Sequence, residues 1–283
     1  MSSARQLFII ILCLCIGFLL NTAIVAILYF FMQGDLSYKL LLILSSIISF
    51  GLPALLAAKF IEKDTSPFKR LGMTESPKFA KYLLVIAFML AIMPTIELVS
   101  SLNAMYSFPD SLKGIEDYFR SIDESAIQST QKALAGNSIG AFVLNLIALA
   151  ITPAICEEMF FRGVLQKFFV GNMRNKHVAI SLTAFIFSAI HMQFSGLLPR
   201  FILGAVLGYI FNFSGSLWLS IVAHATNNAL VVIAVFFFDA DVAATPDLGA
   251  YANPWWIAAI VVGLAIAVLV GRQIFGSKSY AQQ

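Results

Sequence analysis

Charge is scarce in this chain. Asp, Glu, Lys and Arg make up 12% of its 283 residues, against about 25% in ordinary soluble domains. Hydrophobic residues make up 60%, where about 45–50% is usual, and the mean hydropathy is +0.88. Apolar surface on this scale cannot be enclosed in one water-soluble core, so lipid is the expected solvent for most of it. The basic residues form no run and no aromatic-interleaved patch, and the net charge is only +3, which excludes nucleic acid as a partner class. Cysteine is nearly absent as well. Cys13, Cys15 and Cys156 are odd in number and form no Cys-x-x-Cys pair, so neither a disulfide framework nor a thiolate metal site is expected. They read as small packing residues. No internal repeat or low-complexity tract is present.

What is present is a series of long apolar runs. A membrane span needs about 20 such residues, and eight candidates emerge at 7–32, 40–61, 82–102, 139–169, 177–192, 200–213, 216–238 and 254–271. The fifth and sixth are short, as half-buried or tilted helices beside a cavity would be. The first run follows a single Arg5. It is too long for the apolar part of a secretory signal and has no small-x-small cleavage site close behind it, so it reads as a retained span. Neither the start, Met1-Ser2-Ser3, nor the tail, Ala281-Gln282-Gln283, carries a lipidation signal. The fold expected is all-α: a single membrane-embedded domain over 1–283 with about eight spans.

The connections carry charge in alternation. Lys63, Lys69, Arg70, Lys78 and Lys81 lie in 62–81, and Lys167, Arg174 and Lys176 flank the fourth-to-fifth turn. Segment 103–138 holds Asp110, Glu116, Asp117, Asp123 and Glu124, and 239–253 holds Asp239, Asp241 and Asp247 without Lys or Arg. Positive charge on the inner side then puts both termini in the cytoplasm. The polar insert 104–138 becomes an extracytoplasmic loop. Its amphipathic stretch Ile115 to Leu134 is read as a loop helix on the outer surface, with a lid or substrate platform as the alternative.

Ionisable groups inside a span are costly and read as functional by default. The fourth span carries Glu157-Glu158-Met159-Phe160-Phe161-Arg162. Glu158 and Arg162, at i and i+4, share a face and can pair. Glu157 points about 140° away from Arg162 and is left to face something else. Pro153, one turn earlier, removes a backbone bond and can bend the helix there. Of the three histidines, His177 sits at an expected interface. His191 lies in the fifth span, four residues after Phe187, and His224 lies in the seventh with Asn228 one turn on. At 1.5 Å per residue, Glu157, His191 and His224 lie about 18, 21 and 12 Å from the ends of their spans, so all three can converge at one depth. A carboxylate in low dielectric is a competent base for water. Imidazoles can orient that water or bind a metal, and an amide can donate to a developing oxyanion. Amide hydrolysis suits this set. The signatures of other intramembrane proteases are missing: there is no His-Glu-x-x-His zinc helix, no Gly-x-Ser-Gly nucleophile loop and no Gly-x-Gly-Asp or Tyr-Asp aspartate pair.

Glu157-Glu158-x-x-x-Arg162, Phe187-x-x-x-His191 and His224-x-x-x-Asn228 together resemble the three ordered motifs of the CAAX-protease and bacteriocin-processing family of glutamic intramembrane proteases. The resemblance covers 139–235, which it implies to be a catalytic core. It implies Glu157 as the water-activating residue with His191 beside it, and His224 and Asn228 completing the site or its oxyanion hole. Glu158, Arg162 and Phe187 would support them. A metal-independent or loosely metal-assisted site is the expectation, with no required cofactor assigned. The alternative is a divalent metal such as zinc on Glu157, His191 and His224, although Glu157 cannot easily be both ligand and base. The expected partner is a membrane-associated protein or peptide substrate. The compact size and short tails look bacterial, which points to the inner membrane and to leader peptides or anchored precursors rather than prenylated tails. Some members of the family serve instead as immunity or scaffold proteins, which makes a non-catalytic partner-binding protein the second reading. A transporter is a third, but it predicts repeat symmetry or paired broken helices. The Glu158–Arg162 pair is expected to be structural, with Arg162 reaching inward or snorkelling to the cytoplasmic edge, and exchanging its two charges is expected to restore part of the folded yield.

Overall fold

The computed structural model describes residues 1–31, 34–244, 251 and 253–275, the side chain of Phe275 excepted. The end of the first expected span at residue 32, Asp247 and the tail 281–283 lie outside the described residues. Among those residues there is no strand. Among the described residues the main helices, in chain order, are α1 (Ser3–Phe31), α2 (Asp35–Ile61), α3 (Pro67–Leu71), α4 (Phe79–Ala104), α5 (Lys113–Leu134), α6 (Ile139–Asn172), α7 (Lys176–Ala189), α8 (Leu197–Ser214), α9 (Leu217–Phe238) and α10 (Pro254–Phe275). Seven of these, α1, α2, α4, α6, α8, α9 and α10, are long and apolar enough to cross a membrane, and α7 is a shorter apolar helix of 14 residues. The eight expected spans therefore correspond to these eight helices, most of them a few residues longer than the sequence pattern suggests.

In lipid every backbone group must find its partner inside the segment, so Leu-, Ile- and Phe-rich runs of this length become helices. Their outward faces stay apolar: Phe8, Leu19, Phe30, Leu83, Val261 and Leu269 are all exposed. Lipid tails are as apolar as leucine, so burial of greasy surface does not drive the helices together, and small residues that admit close approach do much of that work. Ala54, Ala57 and Ala58 on α2 are fully buried, spaced so that 54 and 58 share a face. Gly204 and Gly208 on α8 repeat the device. A Cβ on Gly204 would sit 3.1 Å from the Ala184 Cα, and one on Gly208 would sit 2.8 Å from Ile180 Cγ2, so α7 and α8 pack nearly backbone to backbone.

Three wide π turns interrupt the spans, at Ile47–Gly51, Leu146–Ile151 and Phe161–Gln166. The first two run directly into Pro53 and Pro153. A proline has no N–H for the carbonyl four residues back, and a wide turn is one way to absorb that loss. Pro153 thus acts less as a hinge, as the sequence suggests, than as the end of a π segment. The third π turn starts directly after the Glu-Glu pair, in the most deeply packed part of α6, where every residue from Phe161 to Gln166 is buried. π turns are frequent at functional sites.

Candidate active site

Glu158 is the hub of the site. Its side chain is completely buried. Arg162 Nη1 donates to its Oε1 at 2.6 Å, Ser220 Oγ donates to its Oε2 at 2.5 Å, and His224 Nδ1 lies 3.0 Å from Oε1. The sequence predicts the first of these contacts and misses the other two. The missed signal is Ser220-x-x-x-His224, one turn apart on α9, which places a hydroxyl and an imidazole on one face. Arg162 is also fully buried. Its Nη2 donates to the Gly204 carbonyl at 2.9 Å, and its guanidinium lies 4.7 Å over the Phe187 ring. Of the two expectations for Arg162 the structure shows the inward one: the guanidinium is held inside the helix bundle by a carboxylate, a carbonyl and an aromatic face.

Glu157 points elsewhere, as the helical angle requires. Its side chain keeps 13% of its surface exposed, and its Oε2 lies 3.9 Å from His224 Nε2. That separation is too long for a direct hydrogen bond and suits a bridging water. The tautomer follows from the neighbours. A carboxylate can only accept, so His224 gives Glu158 its Nδ1–H and turns Nε2 toward Glu157.

His191 does not lie within a span. Helix α7 ends at Ala189, and His191 sits in the turn that follows. Its Nδ1 is 2.8 Å from the Phe187 carbonyl, so this imidazole also donates through Nδ1 and leaves Nε2 free to accept. The Phe187 ring lies between the two histidines, edge-on to His191 at 5.3 Å and to His224 at 5.7 Å, and against Phe161 at 5.1 Å. One aromatic side chain thus spaces Arg162, His191 and His224.

Asn228 is placed by Pro153. The carbonyl that this proline leaves without its usual partner belongs to Leu149, and Asn228 Nδ2 donates to it at 3.3 Å. The other end of the amide, Oδ1, accepts from Asn227 Nδ2 at 3.1 Å. One Nδ2 hydrogen remains for another acceptor. His177, by contrast, is exposed and bonds the Tyr209 hydroxyl at 2.8 Å, apart from these groups.

The turn carrying His191 is held from outside the core. Met192 adopts φ +57°, a left-handed conformation that is unusual for a side-chain-bearing residue. Asn103 Nδ2 donates to the Phe194 carbonyl at 2.7 Å, its Oδ1 accepts from Leu198 N at 3.0 Å, and Asp123 Oδ2 accepts from Ser195 N at 3.1 Å. Phe194 also packs on Tyr106, Phe108 and Phe119. Helix α5 and the end of α4 therefore clamp this turn, so the polar insert does more than cover the surface. Within that insert Glu116 is held below the usual carboxylate range, first by the Phe108 N–H and then by Arg120. Beside the clamp lies a polar cavity of 410 Å³ lined by Asp123, Ser195, Gly196 and Arg200 among others.

A metal would need three ligands converging on one point. Among the described residues no three His, Cys, Asp or Glu side chains form such a group. His224 faces Glu158 through one nitrogen and Glu157 through the other.

Residues 139–230 match the family model described as Type II CAAX prenyl endopeptidase Rce1-like. The match covers roughly a third of the chain, contains all three motifs and agrees with the resemblance that the motifs carry. No curated protein and no solved structure matches the chain. With seven helices able to cross a membrane, the match supports an intramembrane protease.

Proposed function

We propose that this chain is an intramembrane endopeptidase in which Glu157 activates water against a peptide bond. The observation that carries the reading is the split between two adjacent carboxylates. Glu158 is sealed and bonded to a cation, a hydroxyl and an imidazole, whereas Glu157 is partly accessible and faces an imidazole at 3.9 Å. A water between Glu157 Oε2 and His224 Nε2 would donate to both, lie within hydrogen-bond reach of its base, and become a nucleophile as Glu157 takes its proton. His191, through its free Nε2, would orient the substrate or relay the proton to the leaving amine. The remaining Asn228 N–H would donate to the oxyanion. The cavity beside Arg200 is a polar route by which an extended segment could approach. Both termini are assigned to the cytoplasm and the insert 104–138 to the opposite side. The substrate class proposed is a membrane-associated or leader-bearing protein or peptide of a bacterial inner membrane.

The test is cleavage by purified protein reconstituted in vesicles, with peptides tethered to the membrane. Wild type should release a fragment, and His191→Ala and His224→Ala should each lose at least about 100-fold in rate. A cellular phenotype that survives in both Glu157→Ala and His191→Ala would transfer the protein to the partner-binding reading, because the polar cluster would then serve only helix packing.

The site is further proposed to work without a bound metal, since base and ligand roles compete for Glu157. Chelator-washed protein that still cleaves, with less than one equivalent of zinc by elemental analysis, is the expected result. One equivalent of tightly held zinc would reverse the assignment.

A further inference from the structure

The outer side of α1 and α2 carries a groove that no step of the proposed hydrolysis uses. It has a volume of 390 Å³ and runs along both helices from Leu20 and Leu52 to Arg5 and Lys63. Its walls are two rows of exposed side chains at four-residue spacing: Phe8, Leu12 and Ile16 on α1, and Leu52, Leu56 and Phe60 on α2. Between the rows the floor is low, because α1 presents the buried Cys13 and Gly17 there. Gly17 is required by the packing. A Cβ on it would come within 2.5 Å of Pro53 Cγ and 2.8 Å of the Ile48 carbonyl oxygen. Tall walls on either side of a low floor make a slot, and every wall residue is an alkyl chain or a phenyl ring.

Only one end of the slot is charged. Arg5, in the first turn of α1, and Lys63, two residues past the end of α2, both line it there. Both are exposed, so neither is sealed within the bundle. A cation in the first turn opposes the helix dipole, so Arg5 does not serve to stabilise the start of α1. The Lys63 backbone is fixed by Lys59 Nζ, which donates to its carbonyl at 2.9 Å. Among the described residues neither the Arg5 guanidinium nor the Lys63 ammonium has an ion-pair or hydrogen-bond partner. Of the neighbouring acids, Glu62 is taken by Arg70 at 2.6 Å and Asp64 does not line the groove. Two cations from two helices thus converge on one mouth, with no acid among the lining residues.

From Gly17 back to Arg5 is 12 residues, about 18 Å of helix at 1.5 Å per residue, against about 15 Å for half of the hydrocarbon core. The slot is therefore as long as one leaflet is deep. We propose that it seats an anionic phospholipid, with one acyl chain between the two rows and the phosphate between Arg5 and Lys63. The end that takes the phosphate is the one assigned to the cytoplasm, where the membrane surface is negative. A zwitterionic lipid offers the same tail but brings a cation to the mouth. A second copy of the chain would bury two unpaired cations. Lipid binding here is independent of proteolysis, although it touches the same frame. The Ser3 hydroxyl ties the start of α1 to Asn172 at the end of α6. Ile10 and Cys13 share one core with Met159 and Phe160, so a lipid that clasps α1 to α2 braces the layer over α6.

The experiment is lipid retention by the intact purified protein in detergent, read by native mass spectrometry and by melting temperature. The probes are phosphatidylglycerol and phosphatidylcholine with the same acyl chains, and glycerol phosphate as a headgroup without chains. Phosphatidylglycerol should be retained and should raise the melting temperature. Phosphatidylcholine should be retained more weakly, and glycerol phosphate should do neither. Arg5→Gln and Lys63→Gln should each weaken phosphatidylglycerol retention about fivefold, and about 30-fold together. Both side chains are exposed, so these variants should fold as wild type does. Leu12→Trp, which fills the slot and leaves both cations in place, should weaken retention of both lipids. Equal retention of the two lipids by wild type would overturn the proposal, as would unchanged retention in the folded double variant or an equal response to glycerol phosphate. A dimer that carries no lipid would overturn it too, by giving the groove to a second copy.

Discussion

Exchanging Glu157 for glutamine should reduce kcat/KM by about 10²–10⁴-fold, the usual contribution of a positioned general base, while the melting temperature stays within the scatter of wild type. The structure explains why the two readouts should separate. Glutamine has the same shape, and Glu157 makes no short hydrogen bond that the change would break: the imidazole it faces, His224, lies 3.9 Å away. The amide cannot accept a proton from water, so only the chemistry is lost. Binding of an uncleaved substrate should persist, leaving KM near its wild-type value while kcat falls. The decisive pair of measurements is initial cleavage rate in vesicles and thermal melting of the same preparation. A glutamine variant that cleaves at wild-type rate would remove Glu157 as base. One that melts many degrees lower would show that Glu157 belongs to the sealed frame with Glu158.

Much of this arrangement was legible because it is local in sequence. Apolar runs of membrane length mark the helices, and the i,i+4 rule pairs Glu158 with Arg162 from sequence alone. The same rule set Glu157 apart. What stayed hidden depends on which helices touch. Ser220 is an ordinary serine until α9 lies against α6, and the Gly204 carbonyl becomes a partner for Arg162 only because a glycine lets α8 approach. The π turns were hidden for another reason: hydropathy does not record how many residues a turn contains. His191 was assigned to a span because the apolar pattern continues past Ala189, but the chain leaves the helix there and turns through a left-handed Met192. Helix α5 reads as surface cover because its contacts with that turn run through Phe119 and Asp123, whose positions in the sequence give no hint of a common target.

Arg162→Ala should be the most destructive single change to the fold. It removes the guanidinium bonded to Glu158 and leaves that buried carboxylate with the Ser220 hydroxyl and the His224 imidazole alone. It also empties the space over Phe187 and leaves the Gly204 carbonyl without its guanidinium donor. Breaking a buried pair from one side costs about 3–5 kcal/mol in soluble proteins, enough to drain the folded yield of a marginally stable chain. Exchanging the two charges, which a symmetric i,i+4 pair would tolerate, should not rescue it. A glutamate at 162 would set a carboxylate against the Gly204 carbonyl, and an arginine at 158 would set a cation against His224, whose Nδ1–H needs an acceptor. The variant expected to recover yield is Glu158→Gln with Arg162→Met, which removes both charges, gives His224 an amide oxygen and Ser220 an amide N–H while the serine donates to the Leu207 carbonyl, and refills the volume over Phe187. It should express better than Arg162→Ala and still cleave poorly, because a neutral amide holds the His224 tautomer less firmly than a carboxylate does. Expression in membranes, melting temperature and cleavage rate measured on the three variants separate these outcomes. If Arg162→Ala accumulates at wild-type level and loses only turnover, its guanidinium acts on substrate, and the division between a sealed frame and an accessible Glu157 fails.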